Sequence, residues 1–460
     1  MRTAASSAAR RIEERERVLG DFLAAEHERL ARACLDLARA FQRGGLLIPF
    51  GTAAAASDAA HVVVEFMHPI IVGKRALPTV APIGEPDGSR FLRATGRAGD
   101  VALGISHVAV DPAVEAFLDQ GARAGLLTIA LTAGVRADAD HAFAVPTDDP
   151  GIAQEVQETA YHVLWELVHV FFEHPGLLEE SCITCGDVAV TARVLTVDGS
   201  TATVDAEGAR ESVAVDLLED LQPGELVLCH AGVALERVDE PAGPPVPLSS
   251  LPRPASHEDP SGFLYPFLGS REPAVDDVLA DVAASTLRKG ADTVALRRTI
   301  DSDAVAACAR AVGKALRAGG RLLAFGNGGS ATDAQDAAAD ALQAGWPAIS
   351  LTAASATITA VGNDVGFENV FARQLIPLGR PGDVALAFST SGSSPSVIAG
   401  LEEAHRRGML TCALTGYAGG RLVQLPWLDH LLSVPGDYVP RLQEAHATIW
   451  HLMLEEVGPR

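Results

Sequence analysis

Short apolar runs of strand length alternate with longer Ala-rich stretches of helical period along most of the chain, and the same succession occurs twice. Each copy predicts two opening helices, over Ile12–Phe41 in one and Ala274–Ala318 in the other. A short apolar strand follows (LLIPF, RLLAF), then a turn and an Ala-rich helix. Next come a strand ending in Ser (DVALGIS, DVALAFS), a helix, and a strand ending in Thr (LLTIALT, LTCALT). A closing helix starts near Gln154 or Gln443. Strands alternating with helices predict a parallel sheet covered on both faces.

The two copies align in register. GGLLIPFGTAAAASDAAHVVVEF from Gly44 matches GGRLLAFGNGGSATDAQDAAADA from Gly319 without a gap. GRAGDVALGIS from Gly96 matches GRPGDVALAFS from Gly379, and QEVQETAYH from Gln154 matches QEAHATIWH from Gln443. Three matches in one order point to a duplication. Between the copies the pattern switches to alternation with period two in VAVTARVLTV, TATVDA, ESVAVDLL and ELVLCHAGVAL, separated by DGS, EGA and QPGE turns. This predicts a small antiparallel β-barrel or sandwich. A Pro-rich stretch of linker character follows. The expected fold is therefore α/β, with two doubly wound parallel-sheet domains, residues 1–178 and 274–460, flanking a β-domain at 179–240 and a linker at 241–273.

Composition narrows the function. A formal charge of −23 disfavours nucleic acid and anionic membranes as general partners. Met1–Glu14 has no apolar signal core, and no uncharged run reaches membrane-spanning length. Six cysteines lie far apart except Cys182 and Cys185, which fits a reducing cytoplasm rather than a disulfide framework.

Two loops of the second copy carry candidate chemistry. RLLAF runs into Gly326-Asn327-Gly328-Gly329-Ser330 at a helix start, and the next strand runs into Ser389-Thr390-Ser391-Gly392-Ser393-Ser394. Glycines admit close backbone approach, while hydroxyls and free amides at helix N-termini suit phosphate oxygens. Both loops fall at the carboxyl ends of strands, where doubly wound sheets bind ligands.

GNGGSATDAQ, VGNDVGFENVFARQ, GDVALAFSTSGSS, LTGYAGG and RLQEAHATIWH resemble the sugar isomerase (SIS) fold in its phosphoheptose isomerase branch, over about Val278–Val457. The resemblance implies a flavodoxin-like fold, zinc, and aldose–ketose isomerisation of sedoheptulose 7-phosphate. It implies phosphate and sugar contacts at Asn327, Gly328, Ser330, Asn363, Asp364, Ser389, Thr390, Ser391, Ser394 and Gln443. The family's metal and acid/base positions hold Asp336, Asp340, Gln443 and His451 in this copy, so the family's first histidine is lost. In the first copy they hold His61, Glu65, Gln154 and His162, the full set, with His61 and Glu65 one helical turn apart. Its phosphate loops, however, have become Gly51-Thr52-Ala53-Ala54-Ala55 and Ser106-His107-Val108-Ala109-Val110-Asp111. This division predicts a pseudo-dimer of copies sharing one composite site; the alternative is a first copy that only supports the second. In the implied chemistry a metal polarises the carbonyl, Glu65 or Asp340 shuttles a proton through an enediol, and His162 or His451 is the partner acid or base.

The central stretch CITCGDVAVTARVLTVDGSTATVDAEG…QPGELVLCHAGVALERVDE resembles the HypC/HupF hydrogenase assembly chaperones, over about Ser181–Glu240. It implies cargo of an Fe(CN)₂CO fragment, contacted by Cys182 or Cys185 and by His230. It also implies hydrogenase maturation proteins or a hydrogenase large subunit as partners. The chain is thus expected to be a zinc-dependent phosphosugar isomerase fused to a maturation module. The alternative is a non-catalytic maturation factor that senses or uses a phosphosugar. A homodimer of the tandem would mimic the family's tetramer.

Overall fold

A computed structural model describes residues 2–69, 74–82, 87–109, 111–174, 177–178, 190–198, 201–206, 209–215, 218, 221–230, 233–238 and 274–460. Met1–Val170 and Leu279–Arg460 form one compact unit, and Phe171–Val278 forms another. The first copy of the repeat contributes α1 (Arg2–Gln42), β1 (Leu47–Gly51), α2 (Ala55–Met67), α3 (Gly88–Thr95), β2 (Val101–Ile105), α4 (Pro112–Arg123), β3 (Leu127–Ala133), β4 (His141–Val145) and α5 (Pro150–Phe172). Its sheet is parallel in the order β1-β2-β3-β4.

The second unit contains β5 (Val190–Asp198), β6 (Thr201–Ala206), β7 (Ala209–Ala214), β8 (Leu226–His230) and β9 (Val233–Val238). They close into a barrel in the order β5-β6-β7-β9-β8. Pairing is antiparallel except at Ala214 and Val233, where β7 meets β9 in parallel. The alternating pattern is answered by a core of small aliphatics: Val194, Val204, Val213 and Val227 are each 2% exposed or less.

The second copy comprises α6 (Val275–Arg297), α7 (Ser302–Arg317), β10 (Leu322–Phe325), α8 (Gly329–Gln343), β11 (Ala348–Ser350), α9 (Ser355–Asp364), α10 (Val370–Leu378), β12 (Val384–Ser389), α11 (Pro395–Arg406), β13 (Leu410–Thr415), β14 (His430–Ser433) and α12 (Val439–Val457). Its parallel sheet runs β11-β10-β12-β13-β14. The repeat is literal: Leu47 and Leu322 open the first strands, Val101 and Val384 the second, Leu127 and Leu410 the third, and His141 and His430 the fourth. In place of β11 the first copy has a single bridge between Leu47 and Thr79.

One element differs from expectation. The opening of the first copy is one unbroken helix, α1, where the pattern predicts two. The second copy does break, because Asp301 accepts from the amides of Asp303 and Ala304 and starts α7 afresh. No such cap occurs within α1. Ile12 of α1 packs into the second copy's core with Cys308, Val312 and Met453, so α1 belongs to both copies.

The closing helices tie the copies together. Glu155 on α5 accepts from His451 Nδ1 on α12 (2.9 Å), and Glu444 on α12 accepts from His162 Nδ1 on α5 (3.0 Å). Each glutamate is fully buried and further paired: Glu155 with Arg15 (2.8 Å), Arg297 (3.2 Å) and the Thr448 hydroxyl (2.6 Å), Glu444 with Arg441 and the Thr293 hydroxyl (both 2.6 Å). Buried charges persist only when so paired, and removing one partner costs about 3–5 kcal/mol. Glu155→Gln, which strands Arg297, is therefore expected to lower the unfolding free energy of the full chain by about that amount in urea titration. Glu444 contributes on the acid side, as does Glu155, whose carboxyl burial would raise but Arg15 and Arg297 hold well below the usual range. Burial would raise the Glu444 pKa, but Arg441 and His162 outweigh burial and bring it to about 2. The folded value lies below the unfolded one (about 4.3), so this contribution is complete above the latter and is lost as pH falls toward 2. Urea midpoints should drop between pH 5 and 3, and more shallowly in Glu444→Gln.

Candidate functional site

The two Gly/Ser turns of the second copy meet. Asn327 Nδ2 donates to Ser394 Oγ (2.7 Å) and Ser396 Oγ (2.8 Å), tying the turn after β10 to the turn after β12. Gly328 sits at φ +58° and begins α8, whose first turn has no side-chain cap. Ser394 likewise makes no side-chain cap bond to α11, so the first amides of that helix stay open. Two uncapped helix N-termini thus converge beside Ser330 and Ser389, an electropositive backbone arrangement of a kind that suits an anion. The Tyr417–Gly420 turn lies against it: a Cβ at Gly392 (φ +59°) would strike the Gly419 carbonyl. That contact admits only glycine at this position.

Directly against this seat stands the histidine of the other copy. A Cβ added at Gly329 would run into the Gln443 amide and come within 3.0 Å of His61 Nε2. His61 and Glu65 lie on α2 with His61 Nε2 3.6 Å from Glu65 Oε1. His162 on α5 joins them: one ligand-type atom from each of the three falls within 4.8 Å of the others. All three are buried, and Glu65 Oε2 and His162 Nε2 have no hydrogen-bond partner among the described residues. Two imidazoles, a carboxylate and orphaned inward donor atoms make a donor set suited to a divalent ion such as zinc.

The surroundings fix the protonation of each group. Burial lowers the His162 pKa despite Glu444, so the ring is neutral; its Nδ1–H serves the Glu444 carboxylate and Nε2 keeps its lone pair. This is the carboxylate–histidine arrangement that orients metal ligands. For Glu65, burial would raise the pKa, but His61 and His162 outweigh it and keep the carboxylate ionised. For His61, burial is outweighed by Glu65, Asp333 and Asp58, which raise its pKa; Tyr161 OH lies 3.3 Å from its Nδ1.

The glutamines are exchanged relative to the sequence alignment. Gln443 of the second copy, not Gln154, reaches His61, with Nε2 3.1 Å from Nε2. Gln154 instead donates to Asp336 (3.2 Å). The second set, Asp336, Asp340, Gln443 and His451, is not gathered. Asp336 accepts from Ser57 and Gln154, and burial with Asp58 and Asp340 nearby raises its pKa well above the carboxylate range. Burial would lower the His451 pKa, but Asp340 and Glu155 outweigh it and push it to about 10. Both His451 nitrogens face carboxylates, Glu155 at 2.9 Å and Asp340 at 3.4 Å, which leaves no lone pair for a metal.

Other predicted residues fall as follows. Ser330 and Ser389 are buried, Thr390 and Ser394 half-buried and Ser391 exposed at the turn. Asn363 and Asp364 end α9, exposed to solvent. His230 ends β8, paired with Val233; Cys182 and Cys185 lie outside the described residues. Glu155 and Glu444, which orient the histidines, were not singled out by sequence reasoning. The signal available was the Gln-Glu pair that opens both closing helices.

A SIS domain model matches residues 288–416, and a HupF/HypC family model matches residues 188–243. The chain is 46% identical over 169 residues to the phosphoheptose isomerase of Roseiflexus sp., covering 35% of this chain and 85% of that protein. It is 42% identical over 156 residues to the phosphoheptose isomerase of Rhodospirillum rubrum, covering 33% and 82%. Over its whole length the fold is similar to the C-terminal domain of glucosamine-fructose-6-phosphate aminotransferase from Francisella tularensis. That likeness covers 97% of this chain and 93% of the other, with a TM-score of 0.52 at 10% identity. Among the described residues no helix is long and apolar enough to cross a membrane. With the GNGGS and STSGSS turns in place and close relatives matched over most of their length, the chain belongs to the phosphoheptose isomerase family.

Proposed function

We propose that the chain is a zinc-dependent aldose–ketose isomerase acting on sedoheptulose 7-phosphate or a close phosphosugar, at one composite site. The observation that carries this reading is the packing of Gly329, in the second copy's phosphate turn, against His61 of the first copy and Gln443. The phosphate is held by Ser330, Ser389, Thr390, Ser391 and Ser394 with the open amides of α8 and α11. The sugar's carbonyl end then lies toward His61, Glu65, His162 and Gln443. Those four would hold the metal, which when bound supplies Lewis-acid polarisation of the carbonyl. Glu65, ionised and with one oxygen free, takes the proton from the hydroxyl-bearing carbon beside the carbonyl and returns it to the former carbonyl carbon through an enediol, while the proton of that hydroxyl passes to the former carbonyl oxygen. His162 keeps its Nε2 lone pair directed inward because Glu444 holds Nδ1–H. The Asp340–His451 pair takes no part.

The domain limits we favour remain 1–178, 179–240, 241–273 and 274–460, in a cytoplasmic homodimer. The match of residues 188–243 to the HupF/HypC family supports a second role for the β-barrel, as carrier of an Fe(CN)₂CO cargo through Cys182 or Cys185 and His230. Its partners would then be hydrogenase maturation proteins or the large subunit. A non-catalytic factor that only senses the phosphosugar is the competing reading, and turnover decides between them.

Sedoheptulose 7-phosphate turnover followed by NMR should fall below detection in Glu65→Gln and His61→Ala, while Ser330→Ala should raise KM. The exchanged glutamines give the sharper comparison. Gln443→Ala should lose about 10–100-fold in metal affinity, whereas Gln154→Ala and Asp336→Ala should stay near the parent. Equal losses in Gln154→Ala and Gln443→Ala would contradict the composite site. For the barrel, protein isolated without oxygen beside a hydrogenase maturation system should show CO and CN infrared bands that Cys182→Ala/Cys185→Ala removes. Bands that survive the double substitution would end the cargo assignment.

A further inference from the structure

The repeat builds a second junction of the same kind, with the copies' roles reversed, and it contains a cavity of about 620 Å³. Thr52 stands where Asn327 stands in the first junction, Asp111 where Ser394 stands, and Gln154 where Gln443 stands. The chemistry has been inverted at each point. Asp111 caps α4, accepting from the amides of Ala113 (2.9 Å) and Val114 (3.4 Å), and it also accepts the Thr52 hydroxyl. The corresponding seat at α11 is open. A carboxylate of the chain therefore fills the anion position that a phosphate would need, and repels any that approaches. Asp149 fills the start of α5 in the same way, accepting from Gly151 (2.9 Å) and Ile152 (3.1 Å). His451, whose ring lies against Gly151, faces Glu155 and Asp340 with its two nitrogens, so the metal position is closed too.

What the cavity retains is apolar walls and hydrogen-bond acceptors. Ala53, Ala54, Ala344 and Leu454 give apolar walls, while Gln154 lines the cavity, is 5% exposed, and has no hydrogen-bond partner at Oε1 among the described residues. Asp340 and Asp149 add acceptors, and Arg11, which also lines the cavity, is paired with Glu455 (3.3 Å). Acceptors beside apolar walls suit a ligand that brings hydroxyl donors and C–H faces without negative charge. We propose that this second cavity binds an uncharged, hydroxyl-rich small molecule of the sugar class and excludes its phosphorylated form. Each chain then holds one phosphosugar at the first junction and one neutral sugar at the second.

The test uses the full chain carrying Ser330→Ala, so that its outcome does not depend on whether the first junction catalyses anything. Saturation-transfer NMR is run with D-sedoheptulose, D-mannose and glycerol as neutral probes and with sedoheptulose 7-phosphate as the charged one. Val108, which lines the cavity and is 49% exposed, can be changed to Trp without disturbing the core. At least one neutral probe should show transfer that Val108→Trp abolishes, while the phosphate ester should show none at this cavity. In the otherwise unaltered chain, inorganic phosphate should bind once, and Thr52→Asn/Asp111→Ser should raise that to two per chain. Transfer to no neutral probe, transfer indifferent to Val108→Trp, or two phosphates already bound by the unaltered chain would each overturn the assignment.

Discussion

Two glutamates, each reaching from one copy of the repeat to a histidine of the other, are the interaction on which the rest of this molecule depends. Glu155 holds His451 and Glu444 holds His162, and both carboxylates are charged in a dry interior. Their desolvation is offset only because Arg15, Arg297 and Arg441 converge on them. The copies consequently cannot separate without exposing or stranding several charges at once. The same exchange sets the angle and tautomer of His162, brings Gln443 against His61, and presses the Gly329 turn onto both.

This reciprocity explains how two decayed copies can leave one intact constellation. Taken copy by copy, the first lacks the Gly/Ser turns and the second lacks the first histidine of the metal-type set. Taken junction by junction, the division is clean. The first junction combines His61, Glu65 and His162 with the GNGGS and STSGSS turns. The second combines Asp336, Asp340 and His451 with the Thr52–Asp111 plug. The residue types thus divide by junction and not by copy.

Much of this was legible in the sequence. The duplication, the strand ends, the barrel and the phosphate turns follow from periodicity and from Gly and Ser placement. What pattern could not give is which copy each buried polar group serves. Gln154 and His162 share a helix with the right spacing, so alignment assigns both to His61; packing against the second copy sends Gln154 to Asp336 and brings Gln443 in its place. Likewise the single α1 has the periodicity of two helices, and only the missing cap separates the two outcomes. Glu155 and Glu444 looked like ordinary helical glutamates because the histidines they hold are more than a hundred residues away.

The central claim, one composite site per chain, is tested most directly by crystals grown with zinc and sedoheptulose 7-phosphate, with anomalous data collected at the zinc edge. The account predicts one zinc peak among His61, Glu65 and His162, and one phosphate between Ser330 and Ser394 at the same junction. A metal at Asp336, Asp340 and His451, or a phosphate beside Thr52 and Asp111, would contradict it.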